Sequence, residues 1–341
     1  SMSFIILGTM TAGDPAPIPA PNIAASSLDI PRTIGAKIII PIISAHAGKK
    51  HIRIAGLPTF FKSLRSNFNP ALIKIIINAI FLISADMFNM LKSINNETYN
   101  LETKNLFEKW SQVGELYSWL YETNFSNYLY PYNSFQAMTE SIKFMAEKGV
   151  KLAYIQGQHN LRPQKRTGFN QLKIYLDGKF MMDTNSNYND LVNRFFVNYY
   201  GQGYQKMRQF FDEMVTRMSQ FDTNTTMRNK LYANGTKRSL YANIYESVLW
   251  NYDQLQSWVT LCDEAMEMNN NQEIKDNILA ESIFPRFCIC TTFINSYSWV
   301  TAKQQELRRQ FKTCADKLNI TSTSEGNQTP LSTYYSNWGI A

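Results

Sequence analysis

Two clusters of side chains in this sequence are suited to a polyhydroxylated ligand. The first is Trp119, Tyr121, Glu122, Thr123 and Asn124. The second is Gln156, Gly157, Gln158, His159 and Asn160, followed by a basic loop with Arg162, Lys165 and Arg166. Aromatic rings offer flat faces to the apolar faces of sugars. Amides donate and accept at once, matching the mixed demands of hydroxyl groups. Trp119, Tyr121, Glu122, Asn124, Gln156 and Gln158 are therefore the candidate substrate-binding residues, and the ligand class they suit is carbohydrate. Loop capping and strand packing use the same residue types, and spacing alone does not separate the two readings.

Hydrolysis of a glycosidic bond ordinarily needs two carboxyl groups facing one another across it. Glu122 is the one carboxylate in these clusters, and it alternates with Tyr121, so only one of the two points into a site. No catalytic residue is assigned on this basis. Other chemistries lack their motifs: the sequence has no phosphate-binding P-loop, no dinucleotide glycine fingerprint and no His-Glu-x-x-His. Cys288-Ile-Cys290 resembles half a metal site without a second pair or a nearby His, and reads as buried thiols. Neither a metal nor a cofactor is expected.

The elements that must position these clusters follow from local pattern. Leu101 to Gln112 has near-helical apolar spacing. Glu115 to Tyr121 (ELYSWLY) is aromatic and β-prone. Ser134 is placed to cap a helix running to Lys148, and Gly149 to stop it. Val150 to Ile155 is a second strand. Strand, helix and strand in this order make a βαβ unit with parallel strands, whose function belongs at the carboxyl ends of the strands. After Gly168 the apolar spacing turns helical, through Leu191–Tyr199, Tyr204–Met218, Ser239–Met268 and Asn277–Gln310, the last bent near Pro285. The aromatic and Met stripes of these helices are core faces. They leave open a second reading, a helical protein-interaction module without enzymatic activity.

Composition divides the chain near Asn96. Residues 1–95 contain no Glu, Gln, Val, Tyr, Trp or Cys, yet are rich in Ile. Their nine basic and three acidic side chains carry +6 of the formal net charge of +7. The remaining residues are almost neutral, so the sequence pI near 9.0 gives no case for a nucleic-acid partner. Two readings of residues 1–95 stand: a spurious, frame-shifted or wrongly joined translation, or a genuine Ile-rich domain. Within it, Gly35–Ile43 suggests a short strand and Ala71–Phe88 a helix. The apolar run Ile73–Ile83 is too short to span a membrane. The sequence assigns no compartment.

Leu116-Tyr117-Ser118-Trp119-Leu120-Tyr121-Glu122-Thr123-Asn124-Phe125, then Tyr128-Leu129 and Pro131, resembles a segment of a bacterial glycoside-hydrolase-like family. That family is named as a domain of unknown function and occurs in large proteins related to alpha-glucuronidases and hexosaminidases. Gly149-Val150-Lys151, Gln156-Gly157-Gln158, Thr167-Gly168-Phe169 and Asn198-Tyr199-Tyr200-Gly201 extend the likeness, over about residues 97–341. The resemblance implies the last strands of a TIM-barrel-like parallel unit followed by a mainly helical C-terminal region, an α/β plus α fold. It also implies action on glycans. It places acids at the positions of Leu120 and Ile155, which are apolar here. The expected organisation is an atypical segment over residues 1–95, a partial TIM-barrel-like unit over 96–167 and a helical region over 168–341. The function expected is that of a C-terminal fragment of a carbohydrate-acting protein without a complete carboxylate pair.

Overall fold

Strand β2 (Glu115–Tyr121) forms over the residues the alternation marks out, and strand β3 (Val150–Gln156) one residue longer than expected. In the computed structural model, residues 80–84, 89–159, 164–232, 239–294, 301–325 and 329–340 are described. The expectation for Gly35–Ile43 lies outside them. A further strand, β1 (Ile80–Ser84), pairs in parallel with β2 from Ile80 opposite Glu115 to Ser84 opposite Trp119. The helix expected over Ala71–Phe88 is therefore a strand at 80–84. Its apolar run is β-branched and short, and ladder bonding to β2 decides between the two conformations.

The sheet has the order β1-β2-β3, all parallel. Helix α1 (Glu97–Trp110) connects β1 to β2, and α2 (Phe135–Glu147) connects β2 to β3. Asn96 caps α1, its side chain accepting from the Tyr99 N–H at 3.3 Å. Ser134 precedes α2 but makes no side-chain cap bond. Its ψ of 2° departs from the extended conformation that turns a cap oxygen toward the first turn. Gly149, at φ 74°, ends that helical segment as its lack of a Cβ allows. Phe107 of α1 meets Phe144 of α2 edge to face at 6.0 Å, so both crossover helices lie on one side of the sheet.

Asn100 ties the start of this unit together. Its buried amide donates to the carbonyls of Asn89, Lys92 and Ser93 and accepts from the Asn89 N–H at 2.8 Å. The turn at 89–93 is thus held against α1. Both β1 and this turn belong to the stretch that composition sets apart.

The rest is helical: α3 (Asn170–Met182), α4 (Tyr188–Tyr200), α5 (Tyr204–Thr223), α6 (Thr225–Leu231), α7 (Tyr252–Glu267), α8 (Gln272–Cys288), α9 (Thr301–Lys317) and α10 (Leu331–Trp338). Their centre is Trp258, fully buried, with its ring 5.1 Å from Phe210 and 6.1 Å from Phe284. Two expected helices are shorter than their patterns. Residues 239–241 and 247–249 are 3-10 turns, and α7 starts only at Tyr252, where Asn251 caps it by accepting from the Gln254 N–H. The long helix expected over Asn277–Gln310 is two. Helix α8 runs through Pro285 and passes into a π turn at Ile289–Phe293, closed by the Ile294 N–H to the Ile289 carbonyl. That slip falls one turn beyond the proline. Cys262, Cys288 and Cys290 are buried free thiols. Among the described residues no helix is long and apolar enough to cross a membrane.

Candidate functional site

The two sides of β2 are chemically unlike. Leu116, Ser118 and Leu120 are buried, while Tyr117, Trp119 and Tyr121 are half-buried or exposed. Their register partners continue each side: Ser118 lies opposite Ala153 and Leu120 opposite Ile155, whereas Trp119 lies opposite Tyr154 and Tyr121 opposite Gln156. The positions where the family resemblance implies acids, Leu120 and Ile155, are thus neighbours in the ladder. The other side carries an aromatic row. Trp119 packs edge-on to Tyr154 at 4.8 Å and lies 6.4 Å from Tyr121. Tyr121 meets Phe125 at 5.7 Å, and Phe125 stacks on Tyr241 at 5.6 Å. Trp119 is 36% exposed and Tyr241 42%, so both ends of the row reach solvent.

Of the six candidate site residues, Trp119, Tyr121 and Gln156 come together here. Glu122, Asn124 and Gln158 are buried in the layer behind. Asn124 anchors a loop: its amide donates to the Ala242 carbonyl at 3.0 Å and accepts from the Ser126 N–H at 2.9 Å. The Phe125 N–H donates to Leu240 O at 2.7 Å, so the chain that carries Tyr241 is fixed beside Phe125. Gln158 donates to the Tyr128 carbonyl, which Thr167 also approaches at 3.0 Å, and its own carbonyl oxygen is buried without a partner. Asn160 and Arg162 lie outside the described residues.

Glu122 continues the ladder, its N–H donating to the Gln156 carbonyl at 2.9 Å, and its side chain turns away from Tyr121. It meets two residues of α3. Its carboxyl interacts with that of Asp177, its Oε2 is buried without a hydrogen-bond partner, and the Lys173 ammonium donates to its backbone carbonyl at 2.8 Å. Lys173 also lies over the rings of Tyr132 and Phe135, at 5.0 and 5.2 Å. Burial raises both carboxyls above the ordinary carboxylate range. Glu122 raises Asp177 further, while Lys173 draws Glu122 back toward the carboxylate. Burial pulls Lys173 down to about 8. Lys173 is thus the charge that opposes the burial of both acids.

The local pattern on α3 carried the signal for this cluster. Phe169, Leu172, Leu176 and Phe180 mark the buried stripe, and Lys173 and Asp177 sit on it at i and i+4. Sequence reasoning took the stripe as plain core and passed over the two charges. A further buried acid, Glu281 of α8, lies on an apolar helix face that the sequence reads as plain core. It accepts from the Phe169 N–H at 2.7 Å and from the Tyr200 hydroxyl at 3.1 Å, and burial pushes it up to about 8. Among the described residues no group of three or more His, Cys, Asp or Glu is arranged to hold a metal ion.

These features define the class: a parallel α/β unit with an aromatic strand-end face, joined to a mainly helical region. Residues 66–212 match a family described as a domain of unknown function, DUF4838, and that segment is similar to its members. The match takes in β1 and ends within α5, so it crosses the compositional division at residue 95. No curated protein and no solved structure matches the chain.

Proposed function

We propose that the chain carries the C-terminal part of a carbohydrate-acting, glycoside-hydrolase-like protein, and that the aromatic strand-end face is its sugar-binding surface. The observation that carries this reading is the exposed Trp119 ring, braced by Tyr154 and Tyr121, with Gln156 opposite Tyr121 in the register of β2 and β3 and so on the same side of the sheet. A braced ring presents a flat apolar face at little entropic cost, and an adjacent amide meets hydroxyl groups on a sugar's rim.

The strand order fits a barrel-type origin. Consecutive parallel strands with both crossover helices on one side are the building unit of a TIM-like barrel, and equally of one half of a doubly wound sheet, so it is the family resemblance that favours the barrel. In that reading β1, β2 and β3 are consecutive barrel strands and the aromatic row faces the barrel interior. Glu122 and Asp177 do not supply the acid pair of a glycosidase. Both are buried in the core, whereas a catalytic pair faces the scissile bond from its two sides. We therefore assign the described residues to binding and leave hydrolysis to groups elsewhere in the parent.

The test is a glycan array probed with the fluorescently labelled chain, alongside aryl-glycoside assays of the full-length parent. The reading expects retention of at least one glycan class by the chain. It is overturned if neither the chain nor the intact parent binds or turns over any glycan.

A further inference from the structure

A groove of about 440 Å³ lies between α3 and α4, well separated in sequence from the strand ends. Its floor is three rings in series: Tyr175 and Phe195 at 5.4 Å, then Phe195 stacked on Tyr199 at 4.7 Å. Its rim carries Lys179 and Arg194, and the lining is completed by Asn198, with no acidic residue. Lys179 leans over Tyr175 at 5.7 Å, and neither cation makes an ion pair among the described residues. The acids nearest Tyr199, Glu273 and Glu281, act on its hydroxyl, where Arg166 offsets them. Met182, one turn beyond Lys179, is 81% exposed.

We infer that this groove is a docking site for an acidic peptide segment of a partner protein, one that seats an aromatic or aliphatic anchor on the rings and aims carboxylates at Lys179 and Arg194. Three observations select that occupant. The floor is apolar, as an anchor pocket needs, with half-buried Tyr175 and Tyr199 on either side of the buried Phe195, and aromatic rings with a flanking Arg are the composition of binding hot spots. Two cations without acids in the groove make it complementary to negative charge. A second copy of the chain docked symmetrically on the same groove would set these cations against their own counterparts, which is costly. Carbohydrate fits poorly here, because Asn198 is the sole amide of the lining and its Nδ2 is already committed to the Arg194 carbonyl at 2.7 Å.

Selection of a random phage-displayed dodecapeptide library on the full chain tests this inference, with the variant Lys179→Glu/Arg194→Glu as counter-target. Both positions are on the surface, and an unchanged thermal midpoint of the variant confirms that it folds. The expected result is enrichment of peptides with two or more acids around an aromatic or aliphatic residue, and at least tenfold weaker binding to the variant. No enrichment, enrichment of neutral or basic peptides, or equal binding to the variant overturns the inference. So does binding of free monosaccharides at the groove, read by NMR shifts that the variant abolishes, without any peptide enrichment. The outcome is independent of the sugar-binding reading, because a Trp119→Ala chain is expected to retain the selected peptides.

Discussion

The Lys173 ammonium donates to the Glu122 backbone carbonyl at 2.8 Å, joining α3 to the residue that follows β2. One bond thereby links the helical region to the strand end that carries Tyr121. Lys173→Met keeps the bulk and removes the cation that balances the acid pair. Breaking a buried ionic cluster by removing one member costs on the order of 3–5 kcal/mol. Urea unfolding of this variant is expected to show that loss. A double variant, Lys173→Met/Glu122→Gln, is expected to recover part of it, since only Asp177 of the two acids then remains and it has no neighbouring carboxyl to oppose. Equal stability of the single variant and the parent would contradict the cluster.

Stability should also depend on pH through Glu281. Its folded pKa is raised to about 8, so above its unfolded value the unfolded chain binds fewer protons than the native one. The penalty is absent below the ordinary glutamate range, grows as pH rises, and is complete above about 8. From 4.5 to about 8 is about 3.5 pH units, and at roughly 1.4 kcal/mol per unit the chain should lose on the order of 5 kcal/mol over that window from this group. Glu281→Gln, whose oxygen can still accept from the Phe169 N–H, is expected to flatten the decline. An identical slope in both proteins, measured by thermal or urea unfolding from pH 5 to 9, would rule out the assignment.

Two neighbouring glycines should behave oppositely. A Cβ at Gly157 meets Glu122 Oε1 at 3.4 Å, an ordinary contact, so Gly157→Ala should change stability by less than about 0.5 kcal/mol. Gly168 has φ 65°, and a Cβ there comes within 3.0 Å of the Pro131 backbone. Gly168→Ala should cost about 1–3 kcal/mol in urea unfolding, because neither the left-handed conformation nor a backbone contact gives way easily.

The division near residue 95 now has a structural side. β1 pairs with β2, Asn100 holds residues 89–93, and the family match starts at residue 66. Sequencing the source DNA is expected to show one uninterrupted frame from codon 66 onward, with any junction upstream of it. A frame change between codons 85 and 105 would contradict this.

How much of this was legible depended on range. β2 and β3 could be read because aromatic and β-branched runs with period-2 alternation are local signals, and α2 because Gly149 marks its end. β1 was hidden because an Ile-rich stretch fits helix and strand alike, and only pairing with β2 decides. The helices around 239–310 were read too long because apolar spacing persists through the 3-10 turns and past Pro285, while Asn251 as a cap was overlooked. At the site, Trp119, Tyr121 and Gln156 followed from alternation. The inward turn of Glu122 toward Lys173 and Asp177 did not, because those partners lie 51 and more residues away.

The central claim is that the braced Trp119 face binds sugar. The most direct measurement is titration of the chain and of Trp119→Ala with the best oligosaccharide from the array, followed by isothermal calorimetry. The account predicts at least tenfold weaker binding by the variant, about 1.4 kcal/mol, measured well below a thermal midpoint that the lost packing on Tyr154 and Tyr121 lowers. Undiminished binding by a folded Trp119→Ala chain would contradict it.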